Sequence, residues 1–371
     1  MTEKIPFMRL DRQFAEHRSE FMDAVEGVFT HGRVLQGQEV TDLEGRVAGL
    51  FGLGRCACVG SGTDALVLAM KALCIKPGVK VAVTDLSFVA SASAIVLAGG
   101  IPVFVDVEPD TGLCRSDVLV KLLKSGEVGG VVAVHLYGQM MELSEVFAAA
   151  DEAGAFVIED AAQVLGATRR GMGPGRHSHA TCVSFDPTKV IGAQGSGGAV
   201  LTDDPEIDER IKRLRYHGHA GERRYSEIGH NSQLPTVQAA LINVKLNHEA
   251  DWRARRIEIA GQFTETLNGI DAIAAPLVLP DNSHIFHKYV MRVDGDRDGL
   301  AAFLKERGVV TAVHYSLPLH RQPCFAGCHE TAGTLAGSVK LTNEVLSLPI
   351  YPELTDAEVS RICRALKEWR R

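Results

Sequence analysis

A lysine between a strand and a glycine-rich loop can act as a nucleophile if the fold shields it from bulk water. Ser184-Phe185-Asp186-Pro187-Thr188-Lys189, followed by the loop Gly192–Gly198, has that form. Its amine is either a solvated surface charge or a Schiff-base partner for a carbonyl cofactor. A second group is Phe156-Val157-Ile158-Glu159-Asp160, an apolar run ending in two carboxylates and opening into Ala161-Ala162-Gln163. In parallel sheets ligands collect outside the carboxyl ends of the strands. There Asp160 would meet a ribose, a metal or a protonated ring nitrogen, or simply cap a helix. The third group, Gly60-Ser61-Gly62-Thr63-Asp64, precedes the apolar helical run Ala65–Leu73. Thr63 reads as its N-cap, and glycine allows close backbone approach. Free amides at a helix start, aligned with the helix dipole, attract an anion; the plain reading is a capped helix after a turn. The turn matches neither the P-loop nor the dinucleotide fingerprint, which disfavours a Rossmann oxidoreductase.

Together the three groups fit one cofactor. Pyridoxal 5′-phosphate needs a phosphate cradle, a carboxylate to keep its pyridine nitrogen protonated, and a lysine for its aldehyde. Phe88, in the turn Ser87-Phe88-Val89, offers an aromatic face to stack on the ring, or is a core side chain.

These residues must be carried by elements that the pattern also predicts. Short Val- and Ile-rich runs alternate with helical ones from Val79 to Leu201, the mark of βαβ units and a mostly parallel sheet. The strands are read at Val79–Val83, Pro102–Val105, Val131–His135, Phe156–Glu159, Thr181–Phe185 and Gly198–Leu201. Residues up to about 55 look helical. Long helices follow around Pro235–Asn247 and Trp252–Leu267, then a linker-like stretch, Pro276–Ser283. A smaller unit closes the chain: strand His287–Val293, helix Leu300–Arg307, strand Val309–Val313 and helix Asp356–Trp369. The expectation is an α/β chain with a large domain over residues 1–248 and a smaller α+β domain over 249–371.

Composition narrows the function. The 371 residues carry 39 Lys and Arg against 46 Asp and Glu, a net charge of −7. That balance argues against nucleic-acid binding, which needs a basic patch. The charged N-terminus has no apolar signal core, and the uncharged stretch Leu86–Val105 is broken by Gly99-Gly100 and Pro102, so neither export nor a membrane span is expected. Eight cysteines then indicate reduced thiols in the cytoplasm. Cys324, Cys328 and His329 lack the partners of a closed zinc site, and metal ligation is not expected.

The motifs GSGTDAL (Gly60–Leu66), PVFVD (Pro102–Asp106), HLYGQ (His135–Gln139), EDAAQVLG (Glu159–Gly166), SFDPTK (Ser184–Lys189) and GSGGAV (Gly195–Val200), with Asn231–Ala240 and Val313–His320, resemble the DegT/DnrJ/EryC1/StrS sugar aminotransferases over nearly the whole chain. The resemblance implies the aspartate aminotransferase fold (fold type I), a cytoplasmic homodimer, and amino transfer from L-glutamate to a nucleotide-linked keto-sugar through a pyridoxamine 5′-phosphate form. Such transfer would serve amino-sugar synthesis for a surface polysaccharide or a glycosylated metabolite. It implies Lys189 as Schiff-base lysine and proton carrier, Asp160 on the pyridine nitrogen, and Gln163 on the ring hydroxyl. Gly62, Thr63 and Ser184 would hold the phosphate, Phe88 would stack on the ring, and Asn231 would reach the phosphate of the other subunit. The Val313–His320 and Asn231–Leu234 segments look more like members acting on 3-keto than on 4-keto sugars. Arg223, His314, Tyr315 and His320 are the substrate-side candidates. Ser196, Asp186 and Pro235-Thr236 depart from the family pattern and bear on loop geometry. A pyridoxal-phosphate-binding regulatory protein without turnover is the alternative.

Overall fold

The computed structural model describes residues 4–369. Three helices come first, α1 (Leu10–Glu16), α2 (Arg18–His31) and α3 (Gln38–Phe51). The alternating region then runs β1 (Arg55–Val59), α4 (Gly62–Ala72), β2 (Lys80–Thr84), α5 (Ala90–Leu97), β3 (Ile101–Val105), α6 (Ser116–Lys124), β4 (Gly130–Val134), α7 (Ser144–Ala153) and β5 (Phe156–Asp160). After β6 (Thr168–Arg169) come β7 (Ala180–Ser184), β8 (Gly198–Thr202), α8 (Pro205–Leu214), α9 (Thr236–Leu246) and α10 (Glu249–Leu267). The last part holds β9 (Ile273–Ala274), β10 (Asn282–Ser283), β11 (Tyr289–Val293), α11 (Arg297–Glu306), β12 (Glu330–Thr331), α12 (Ala336–Glu344), β13 (Val345–Leu348) and α13 (Asp356–Glu368).

The described residues form an eight-stranded sheet ordered β1-β8-β7-β5-β4-β2-β3-β12. Only β1–β8 and β8–β7 pair antiparallel. Two reversals cancel, so β1 runs in the same direction as β7 and β5, and all three end on one edge. The central strands are buried along nearly their full length, which is why they read as unbroken apolar runs. Helices cover both faces. One core packs Leu66, Leu68 and Met70 of α4 against Val81, Val132 and Ile158. Another packs Leu43 and Val47 of α3 against Phe185 and Ile242. The architecture is the mostly parallel α/β arrangement expected from the alternation.

A third core joins Ile259 and Phe263 of α10 to Tyr289, Met291, Leu346, Ile362 and Leu366. Here the sequence reading needs correction. Val309–Val313 is not a strand; it makes only single bridges, Ile5–Val309 and Ala312–Ser347. The place beside β11 belongs to β13. Strand β1 was also unpredicted, because Arg-Cys-Ala-Cys-Val has little β-forming character until β8 pairs with it. Part of the expected linker, Asn282–Ser283, pairs with Thr168–Arg169. The stretch Leu86–Val105 splits into α5 and β3, and no helix among the described residues is long and apolar enough to cross a membrane.

The first and last helices are clamped together. Arg12 donates to both carboxylate oxygens of Glu358, each at 2.7 Å, while Glu358 also closes a capping box with Thr355. Arg12 and these caps hold the Glu358 carboxyl down to about 2, from an ordinary 4.5. A depressed acid contributes stability above its unfolded value and loses it as pH falls through its folded one. Glu358→Gln should therefore cost about 1–3 kcal/mol at neutral pH. In denaturant titrations the gap to wild type should narrow steadily once the pH drops below 4.5.

Candidate active site

The common edge of β1, β5 and β7 opens onto a cavity of about 620 Å³, within the range of small-molecule sites. Its wall on the sheet side includes Gly62, Thr63, Asp160, Gln163, Ser184 and Lys189. These six sit within 128 positions of one another in sequence but at the ends of three different strands, β1, β5 and β7, so only the sheet brings them together.

Helix α4 starts two residues earlier than Thr63 would allow as a cap. Ser61 is the N-cap, its oxygen accepting the Asp64 amide at 3.0 Å. Thr63 thus lies inside the first turn, which is the correction to its reading as a cap. The Gly62 and Thr63 amides have no partner among the described residues, as expected for the first turn of a helix. The turn presses against the end of β7. A Cβ on Gly62 would stand 2.7 Å from the Ser184 Cβ and 2.9 Å from its Oγ, so no larger residue fits without displacement. Ser196 donates to the Gly60 carbonyl at 2.8 Å, which ties the glycine-rich return loop to the same turn.

Asp160 ends β5 with only 6% of its surface exposed. No helix follows it, which removes the capping alternative. Its carboxylate accepts from the Ser91 hydroxyl at 2.7 Å and from the Ala162 amide at 3.2 Å. Gln163 accepts the Tyr137 amide at 2.9 Å and donates to the Tyr315 hydroxyl at 3.4 Å. Lys189 follows β7 in a turn held by Asp186, which accepts from the Thr188 amide at 2.9 Å and the Thr188 hydroxyl at 2.6 Å. Burial pushes the Lys189 amine below its ordinary value, against the opposing pull of the Asp160 and Asp186 charges. A lowered amine has a larger neutral fraction, and the neutral form is the nucleophile and base.

Phe88 is 55% exposed on the cavity rim, not part of the core. His314 and Tyr315 also line the cavity. The His314 ring bonds the Ser347 hydroxyl at 2.8 Å and is held near neutrality by burial, at about 4. Its carbonyl accepts the Tyr137 hydroxyl.

Three predicted residues are not brought into this cavity by the single chain. His320 is a latch: its amide and ring Nδ1 both bond the buried Asp85 carboxylate, at 2.8 and 2.7 Å. Arg223 lies in an exposed turn with φ +60°, bracketed by the bridge His219–Tyr225. Asn231 is exposed, but its neighbours are pinned. Ser232 donates to Asp64 at 2.8 Å and accepts the Gly60 amide at 3.0 Å, while His230 bonds Asp64 at 3.1 Å. Cys324, Cys328 and His329 form a turn in which sulfur and ring bond backbone carbonyls. Conversely, Ser91, Tyr137, His287 and Lys288 border or support the cavity without having been singled out. His287 and Lys288 had read as the first residues of a strand, and nothing in their spacing distinguishes a cavity wall from a strand start.

The cradle of free amides, the buried carboxylate and the depressed lysine fit a phosphorylated aldehyde with a basic ring nitrogen. A model of the DegT/DnrJ/EryC1/StrS aminotransferase family matches residues 15–367. A pleiotropic regulatory protein of Geobacillus stearothermophilus is 35% identical over 369 residues, covering 99% of each chain. A dTDP-3-amino-3,4,6-trideoxy-alpha-D-glucose transaminase of Streptomyces venezuelae is also 35% identical over 369 residues, covering 99% of this chain and 97% of its own. The crystal structure of S. venezuelae DesV in complex with a ketimine intermediate superposes with a TM-score of 0.95 at 34% identity, covering 99% of both chains. Site and similarity agree: the chain belongs to the DegT/DnrJ/EryC1/StrS aminotransferase family and is a sugar aminotransferase whose cofactor is pyridoxal 5′-phosphate.

Proposed function

We propose that this enzyme moves the amino group of L-glutamate onto a nucleotide-linked keto-sugar, with a C3 ketone favoured over C4, in amino-sugar synthesis in the cytoplasm. The observation that carries the reading is the depressed Lys189 amine, within the influence of the Asp160 charge, on the wall of a cavity large enough for cofactor and sugar together. The name of the S. venezuelae relative supports the C3 position.

When bound, pyridoxal phosphate supplies an aldehyde that condenses with amines and a ring that takes up electrons from an adjacent carbanion. The chain does the rest. The Gly62 and Thr63 amides and the Ser184 hydroxyl hold the phosphate at the positive end of α4. Asp160, oriented by Ser91, keeps a proton on the ring nitrogen; Gln163 holds the ring hydroxyl and Phe88 covers one face. The Lys189 Nζ removes the proton from the α carbon of the amino donor. In the second half-reaction it returns a proton to the sugar carbon that receives nitrogen. Asn231, exposed on a segment anchored to Asp64, completes the phosphate site of a second subunit. Apolar side chains left exposed in this chain, among them Phe29, Leu35 and Ile228, support a dimer.

A regulatory role without turnover is the second reading, favoured by the name of the G. stearothermophilus relative. The complete set of Lys189, Asp160 and Gln163 speaks for catalysis.

Purified holoenzyme given L-glutamate should change its cofactor absorbance, and mass spectrometry of a panel of nucleotide keto-sugars should show one gaining an amino group in place of its ketone. A cofactor spectrum indifferent to every amino acid would leave the regulatory reading standing. Lys189→Ala should lower turnover at least about a hundredfold to ten-thousandfold, the contribution of a positioned base. Lys189→Ala and Asn231→Ala are each expected to be poorly active alone; mixing and refolding them together should restore turnover, because a mixed dimer contains one intact site. No recovery in the mixture would place Asn231 outside the shared site.

A further inference from the structure

Transamination needs the amino donor to be held with its α carbon at the Lys189 Nζ, and the donor carries negative charge one bond from that carbon. Wherever that carbon meets the Lys189 Nζ, its carboxylate must fall on the nearby wall. Among the described residues two cationic side chains line the cavity, Lys189 and Lys288. His287 and His314 line it too, but burial and neighbouring cations keep both rings neutral.

Lys288 is 7% exposed and its ammonium has no hydrogen-bond or ion-pair partner among the described residues. The Nζ lies over the ring of Phe7, 5.2 Å from its centroid. Burial, with the charges of Arg256 and Lys189 close by, pushes the amine down to about 7. A buried, unpaired ammonium is costly unless an anion arrives to meet it. The backbone around it is fixed: the Lys288 amide donates to the Tyr137 carbonyl at 3.1 Å, and the Tyr137 amide donates to Gln163. The side chain lines the cavity together with Phe7 and His314, close enough for its charge to act on the His314 ring. A sugar nucleotide's diphosphate lies several bonds from its ketone and has no need of a cation this close to Lys189.

We propose that Lys288 is the donor-recognition residue of this site, its ammonium binding a carboxylate of the amino donor. The inference rests on the aminotransferase reading above. The α- and γ-carboxylates of L-glutamate share the same chemistry, and the experiment tells them apart.

The test follows the first half-reaction by cofactor absorbance, in holoenzyme of wild type, Lys288→Gln and Lys288→Arg. The amino donors are L-glutamate, its α-amide L-isoglutamine and its γ-amide L-glutamine. Lys288→Gln should lower kcat/KM for L-glutamate about tenfold to a hundredfold, mainly through KM, the range for losing a hydrogen bond to a charged group. Lys288→Arg should recover part of that loss. Wild type should discriminate against one of the amides, and that discrimination should vanish in Lys288→Gln; the amide concerned identifies the carboxylate. The second half-reaction, started from the pyridoxamine form with the keto-sugar, should keep its KM. An unchanged L-glutamate KM in Lys288→Gln overturns the proposal, as does a loss confined to the sugar half-reaction. Should Lys288→Gln fail to retain cofactor, wild-type enzyme that accepts both amides as readily as L-glutamate overturns it equally. Wild type that responds to no amino acid sinks the aminotransferase reading itself, a failure distinct from these.

Discussion

Everything at this site depends on how closely the first turn of α4 lies against the ends of β7 and β8. Gly62 leaves its side-chain space to Ser184, and Gly198 leaves its own to the Ser61 carbonyl. Because nothing larger intervenes, two unpaired amides, a serine hydroxyl and the lysine turn face one small volume. A side chain at Gly62 would push the helix start away from Ser184. The helix start would then no longer share a cavity with Lys189.

Around that contact, the energetic cost of burying charge is distributed unevenly. Asp160 is satisfied by Ser91 and the Ala162 amide. Asp85, fully buried, is satisfied by the His320 amide and ring and by the Ser338 hydroxyl. Both charges are met within the chain, and the bonds to Asp85 tie His320 and Ser338 to the residue that follows β2. Lys189 and Lys288 are different, since their amines have been moved out of water without a hydrogen-bonding partner among the described residues. Buried groups left in that condition mark where a ligand completes the structure.

The three departures from the family pattern find local explanations in hydrogen bonding. Ser196 ties the return loop to Gly60. Asp186 shapes the turn that presents Lys189 by accepting both the amide and the hydroxyl of Thr188. Thr236 accepts the Gly37 amide at 3.1 Å, joining the start of α9 to the start of α3. Each keeps its loop in place by a route of its own, and Asp186 also donates its amide to the Ser184 hydroxyl at 3.2 Å.

How much was legible followed the range of the interactions. The alternation of apolar runs from Val79 to Leu201 identified most of the sheet, because strands buried on both faces must be apolar whatever their neighbours. β1 and β13 escaped, since pairing partners far away in sequence made them strands. The three constellations around Gly62, Asp160 and Lys189 were legible because each is a short segment with its own chemistry, and their family resemblance supplied roles for the residues. Thr63 was misplaced by two positions, because a cap depends on backbone angles that spacing does not encode. The sequence by itself determined the α/β class, the acidic charge balance, and the residue types of the cofactor cradle. Only the tertiary structure decided that His320 bonds Asp85, and that Lys288 stands in the cavity wall without a partner among the described residues. The physical reason is that burial and pairing are properties of distance in space, and neighbours in space are set by the whole chain at once.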